Sequence, residues 1–178
     1  MKRNKKLLWL YGLMTLSVMG LIFYMSAKDA TESGGMSKWL VNTSFGRMLI
    51  RLPPRLTDRG DEIDLRKYAH MAEYALLAVP SVLFFRELLM DKRVPIRASF
   101  CSLVFCCVYA CSDEYHQTFV PGRAGAMIDV AVDLVGVSFG LALVILIYMT
   151  CMRRKELKSA NTAPRSTRYR LCSLFPKN

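Results

Sequence analysis

An all-α, polytopic membrane fold with four transmembrane helices follows from three features of this 178-residue chain. Hydrophobic residues make up 53% of it and are gathered into long runs rather than alternated. The formal charge of +11 falls between those runs, as expected when Lys and Arg collect in cytoplasmic loops. Charged residues inside or at the ends of the runs gather toward one predicted membrane face. This composition excludes an ordinary soluble domain, a disulfide-built secreted domain and a disordered chain. The basic residues form no aromatic-interleaved patch, so no nucleic-acid partner is expected.

A hydrocarbon core of about 30 Å takes about 20 helical residues. The first span, about residues 7–25, is uncharged and follows Lys2, Arg3, Lys5 and Lys6. It exceeds the roughly 7–15 residues of a signal-peptide core, and Ser26-Ala27-Lys28-Asp29-Ala30 is a poor cleavage site, so an uncleaved anchor is predicted. The second span, about residues 67–85, is apolar from Tyr74 onward, and Pro80 is predicted to bend it. The third, about residues 98–115, is apolar as far as Cys111, and the fourth runs from about 127 to 152. Cys101, Cys106, Cys107 and Cys111 read as packing residues of the third span, without metal-ligand spacing.

Basic residues mark the cytoplasmic side. They occupy residues 1–6, the connection containing Arg86, Lys92, Arg93 and Arg97, and a basic tail over residues 153–178 that is predicted to be disordered. The loop between the third and fourth spans has Arg123 as its one base, and the bases of residues 26–66 are offset by Asp and Glu. Four spans with both termini cytoplasmic satisfy every loop, with residues 7–152 as the membrane domain. Within the external loop 26–66, Val41, Phe45, Met48, Leu49 and Leu52 recur at helical spacing before Pro53-Pro54. They suit an extra helix lying on the membrane surface or packed over the bundle.

Charged groups are costly inside a bilayer, at about 2.5–3.5 kcal/mol each at a helix centre, and therefore need a reason. Lys67, His70 and Glu73 open the second span; Asp113, Glu114 and His116 close the third; Arg123, Asp129 and Asp133 follow. Residues three or four apart share a helical face. Lys67, His70, Tyr74, Leu77 and Ser81 therefore form one stripe with Glu73 beside it, and Asp113 pairs with His116. Asp129, Asp133, Gly136 and Gly140 form another stripe, whose small-xxx-small pair admits a neighbouring helix and turns the aspartates into the bundle. With Lys67 and Arg123 against Glu73, Asp113, Glu114, Asp129 and Asp133, the group carries a formal −3 with its histidines neutral. Protonation, a cationic ligand or a divalent cation would each offset it. The residues leave that choice, and any cofactor or metal, open. Placement in the headgroup region as solvated or paired helix ends is the plain structural alternative.

Three segments carry a family resemblance: Lys67-Tyr68-Ala69-His70-Met71-Ala72-Glu73-Tyr74, then Asp113-Glu114-Tyr115-His116-Gln117-Thr118-Phe119-Val120-Pro121-Gly122-Arg123, then Asp129-Val130-Ala131-Val132-Asp133-Leu134-Val135-Gly136. Together they resemble the VanZ-like family, named for a teicoplanin-resistance protein, over roughly residues 65–140. Asp133 stands where many members have Asn. The resemblance implies a multi-pass bacterial cytoplasmic-membrane protein of the cell envelope and implies no known reaction. Its matching polar residues are Lys67, His70, Tyr74, Asp113, Glu114, Gln117, Arg123, Asp129 and Asp133, with Pro121 and Gly122 shaping a turn.

Two functions compete. In the first, an outer-face pocket containing Lys67, His70, Tyr74, Glu114, Gln117, Arg123, Asp129 and Asp133 binds a lipid-linked cell-wall precursor or a glycopeptide antibiotic, or alters access to one. Arg123 is suited to bidentate contact with phosphate or carboxylate. In the second, the chain is a membrane enzyme acting on a lipid-linked phosphate. His70 or His116 would then serve as acid or base, and Glu73, Asp113, Glu114, Asp129 and Asp133 as orienting groups or cation ligands. Ion transport fits less well, because the polar groups stop at one face.

Overall fold

The computed structural model describes residues 4–28, 35, 42–43, 61–90, 95–123 and 125–162. Within them it is helical without strands: α1 (Lys5–Ser26), α2 (Asp61–Leu88), α3 (Ile96–Gln117) and α4 (Met127–Thr162). Each of the four contains a segment long and apolar enough to cross a membrane, including Arg66–Leu88 of α2 and Met127–Lys155 of α4. The chain is therefore a multi-pass membrane protein. The surface-helix expectation for residues 41–52 lies, apart from Asn42 and Thr43, outside the described residues.

The chain divides into two compact units, Met1–Ala142 and Leu143–Asn178. In the first, α1 is opened by Asn4, whose side chain accepts from the Leu7 amide, satisfying a donor that the first helical turn leaves free. Trp9, Leu13, Leu16 and Phe23 are exposed, as side chains facing lipid should be. The buried face of α1 is narrow and holds Thr15, Ile22 and Ser26, spaced so that all three turn toward the neighbouring helices.

α2 buries Tyr74, Leu77, Ala78, Ser81 and Val82, the stripe expected from spacing. The helix continues through the buried Pro80, and the Ser81 hydroxyl donates to the Ala78 carbonyl. α3 packs with small residues, burying Ala98, Ser99, Ser102, Cys106 and Ala110, and the same stripe then turns polar at Asp113, Glu114 and Gln117. Ser81 and Ser102 hydrogen-bond across the α2–α3 contact, a polar join of the kind that fixes helix register in lipid.

The glycine pair of α4 packs as its spacing suggests. A Cβ at Gly136 would strike the Met71 carbonyl, and one at Gly140 the Ala75 carbonyl, so α4 meets the backbone of α2 where only glycine fits. In the second unit, α4 continues through Thr162, ten residues into the segment expected as a disordered tail. Arg153, Arg154, Lys155, Leu157 and Lys158 all favour helix, and the first breaker is Pro164. Residues 163–178 lie outside the described residues.

Candidate functional site

The C-terminal ends of α1 and α3 and the first turns of the α2 and α4 spans meet at one end of the first unit, where the charged residues sit. Lys67 of α2 pairs with Asp129 of α4 at 2.5 Å. Ser26 at the end of α1 donates to Asp113 Oδ2 of α3 at 2.9 Å. The first helix thus contributes to a cluster that its apolar sequence gave no reason to join.

Gln117 organises the centre. Buried to 2% exposure, it donates through Nε2 to Asp113 Oδ2 at 3.1 Å and to Glu114 Oε1 at 3.0 Å. With both amide hydrogens engaged, its Oε1 is free to accept, and it accepts from Arg123 Nη1 at 3.3 Å and Arg66 Nη2 at 3.4 Å. Arg123 also donates through Nη2 to the Met25 carbonyl at 3.3 Å. Burial and the neighbouring Arg66 guanidinium push the Arg123 guanidinium below its usual range, against the pull of Asp113, Glu114 and Glu73.

The connection between α3 and α4 is built to deliver these groups. The Arg123 amide bonds the Val120 carbonyl at 3.1 Å, and Gly122 has φ 74°. This is the Pro-Gly order of a type II turn, whose third position requires a left-handed residue. Gly125 then passes so close to α3 that a Cβ would strike the Glu114 carbonyl. The close passage lets the Ala126 amide donate to Glu114 Oε2 at 3.0 Å.

His70 and Glu73 lie one turn apart with Nδ1 and Oε2 at 3.6 Å, longer than a hydrogen bond. Tyr74, fully buried, lies close enough to Asp113, Asp133 and Glu114 for their charges to act on it, and its ring centroid is 6.1 Å from that of Tyr109. Among the described residues, the Tyr74 hydroxyl, Asp133 Oδ2 and Asp113 Oδ1 have no hydrogen-bond partner. The His116 ring packs on Phe23 of α1, centroids 4.5 Å apart, and lies near enough to Asp113 for the two groups to interact electrostatically.

Lys67, His70, Glu73, Tyr74, Asp113, Glu114, Gln117, Arg123, Asp129 and Asp133 are thus brought to one end, and His116 lies at its edge against α1. Sequence reasoning missed Arg66, Ser26, Tyr109 and Gly125. Arg66 could have been found, because Arg66, His70 and Glu73 follow helical spacing. Tyr109, whose hydroxyl donates to the Met19 carbonyl at 2.7 Å, carried no charge to mark it. Counting Arg66, three cations face five carboxylates.

No three His, Cys, Asp or Glu side chains among the described residues are arranged to hold a metal ion. Asp113, Glu114 and Asp129 are engaged by Ser26, Gln117, the Ala126 amide and Lys67, while Glu73 Oε2 and Asp133 Oδ2 have no hydrogen-bond partner among the described residues. An apolar cleft of about 510 Å3 lies away from the cluster, between Leu8, Gly12 and Leu16 of α1, Phe84 and Phe85 of α2, and Phe105 of α3. Its lining has no charged group to join the chemistry of the cluster.

The family model described as VanZ/LLP1 matches residues 11–148. No curated protein and no solved structure matches the chain.

Proposed function

The chain belongs to the VanZ/LLP1 family, and from that premise we propose that it is a bacterial cytoplasmic-membrane protein whose polar cluster opens on the outer face. There it binds a lipid-linked cell-wall component, or the glycopeptide antibiotic that targets one, and alters access to it. Reduced susceptibility to a teicoplanin-type antibiotic is the expected phenotype. The orientation rests on the basic residues: Lys5 and Lys6 open α1, Arg86 closes α2 and Arg97 opens α3, at the ends remote from the cluster, which are the ends the positive-inside rule assigns to the cytoplasm.

One observation carries the reading. Arg123 is half-buried at the cluster and contacts a neutral amide and a backbone carbonyl. Among the described side chains it has no carboxylate ion-paired with it, and its Nε has no partner. A guanidinium held in place with donors unused is suited to bind an anionic group at the interface.

The test is a susceptibility assay in cells carrying the parent, Arg123→Ala or His70→Ala at equal membrane levels. Loss of protection in both variants is expected; full protection in both contradicts the reading. A second reading, catalysis at a lipid phosphate, is favoured by His70 facing Glu73 at 3.6 Å, an arrangement able to relay a proton once a ligand tightens it. Turnover separates the two. Phosphate release from an undecaprenyl diphosphate-linked substrate by purified protein, abolished in His70→Ala, would replace the binding-only account.

A further inference from the structure

We propose that Arg66 and Arg123 together form a two-arginine fork, oriented by Gln117, that binds a phosphate group on the headgroup of a membrane lipid. This rests on the outer-face binding reading and names its ligand chemistry and a second binding residue.

The geometry is specific. Gln117 cannot present its amide nitrogen to the arginines, because Asp113 and Glu114 hold both of its hydrogens. Its one oxygen therefore faces two guanidinium groups, one from α2 and one from the α3–α4 connection. Two like charges converging on one neutral acceptor repel each other, and each amide contact uses one donor of the five a guanidinium carries. Among the described side chains neither arginine is ion-paired with a carboxylate: Lys67 takes Asp129, and hydrogen-bond donors other than these two arginines engage Asp113 and Glu114. A tetrahedral oxyanion between the two forks would relieve the repulsion and take up the unused donors in bidentate fashion.

Depth identifies the source of that anion. The segments long and apolar enough to cross a membrane are Arg66–Leu88 in α2, Ile96–Gln117 in α3 and Met127–Lys155 in α4, with Arg66 and Gln117 at their ends and Arg123 between two of them. Arg66, Gln117 and Arg123 therefore sit at the edge of the hydrocarbon, the level at which lipid phosphates lie. The fully buried Tyr74, eight residues or about two turns further along α2 than Arg66, has an unpartnered hydroxyl among the described residues.

The experiment uses the full chain in detergent. Dioctanoyl phosphatidic acid, dioctanoylglycerol and inorganic phosphate are titrated against the parent, Arg66→Gln and Arg123→Gln, and binding is read by intrinsic fluorescence. Phosphatidic acid is expected to bind and dioctanoylglycerol to fail. Each substitution should weaken the phosphatidic acid about tenfold or more, the size of one lost charge-assisted contact. Unfolding without ligand reports whether each variant is intact. If one is not, Arg66→Lys or Arg123→Lys replaces it, keeping the charge while losing the fork, and should still bind more weakly than the parent. Equal binding of the two lipids overturns the proposal. A loss in Arg123→Gln with none in Arg66→Gln overturns the fork while leaving the outer-face reading intact. Inorganic phosphate binding as tightly as the lipid, with the same arginine dependence, would overturn the lipid as source.

Discussion

Gln117 is the residue on which the cluster turns, because it separates two carboxylates from two guanidinium groups while bonding all four. Replacing it with Leu leaves buried polar groups on both sides without that partner, each such loss costing about 1–3 kcal/mol. Gln117→Leu is therefore expected to lower the unfolding temperature in detergent, with a loss of about 2 kcal/mol or more; an unchanged transition would show that the bridge carries little. Asp133 predicts the opposite sign. It is 2% exposed with Glu114, Asp113, Asp129 and Glu73 as its electrostatic neighbours. Asp133→Asn keeps the shape, removes a like charge, and should raise the unfolding temperature. A fall in Asp133→Asn would mean that the carboxylate is bonded in a way the structure does not contain.

The electrostatics of Arg123 yield a pH test. Its depressed affinity for a proton is a cost to folding that persists as long as the group is charged, and is relieved only as pH rises through its folded value. For an arginine that point is strongly alkaline, so the parent should stay charged here throughout the physiological range. Arg123→Lys meets the same burial and the same Arg66 but starts from about 10.4. Phosphatidic acid binding by Arg123→Lys should weaken as pH is raised from about 7 to 10 relative to the parent, and parallel profiles would contradict the assignment.

At the scale of the elements, the α2–α4 contact depends on two glycines. A side chain at Gly136 or Gly140 meets backbone that cannot give way, whereas Gly20 on α1 has nothing within 4 Å of a Cβ. Gly136→Val is expected to cost about 3 kcal/mol or more, or to prevent accumulation of folded protein. Gly20→Ala should be neutral or gain up to about 1 kcal/mol of helix propensity. Equal behaviour of the two would contradict the packing. This contact was legible in advance because Gly136 and Gly140 stand one turn apart on the face of Asp133, and a stripe of small residues in a lipid-bound helix has few other uses. The first and fourth helices were legible because a bilayer demands length and apolarity together, whereas the second and third, whose purely apolar stretches are short, were placed by the alternation of basic loops. The end of α4 was less so: charged residues beyond a span suggest a solvated tail, yet Arg, Lys and Leu also favour helix, and the helix runs to Thr162.

For the molecule as a whole, pattern and charge identified which polar residues gather but could not say how they divide their bonds. Spacing put His116 near Asp113, where its charge does act, but gave no sign that its ring also rests on Phe23, because a tertiary neighbour from α1 leaves no mark in a helical pattern. Ser26 and Met25 were invisible for the same reason: what they do is set by where α1 ends against α3, which no local pattern records. The central claim is that this gathering opens outward from the cell. It is tested most directly with single cysteines placed in a chain cleared of its native thiols, at exposed positions outside the cluster. Phe119→Cys lies in the turn beside Arg123, and Met90→Cys lies just beyond the end of α2. Intact cells exposed to a membrane-impermeant maleimide should label Phe119→Cys at once, and Met90→Cys only after permeabilisation; the reverse pattern would put the arginines in the cytoplasm and contradict the account.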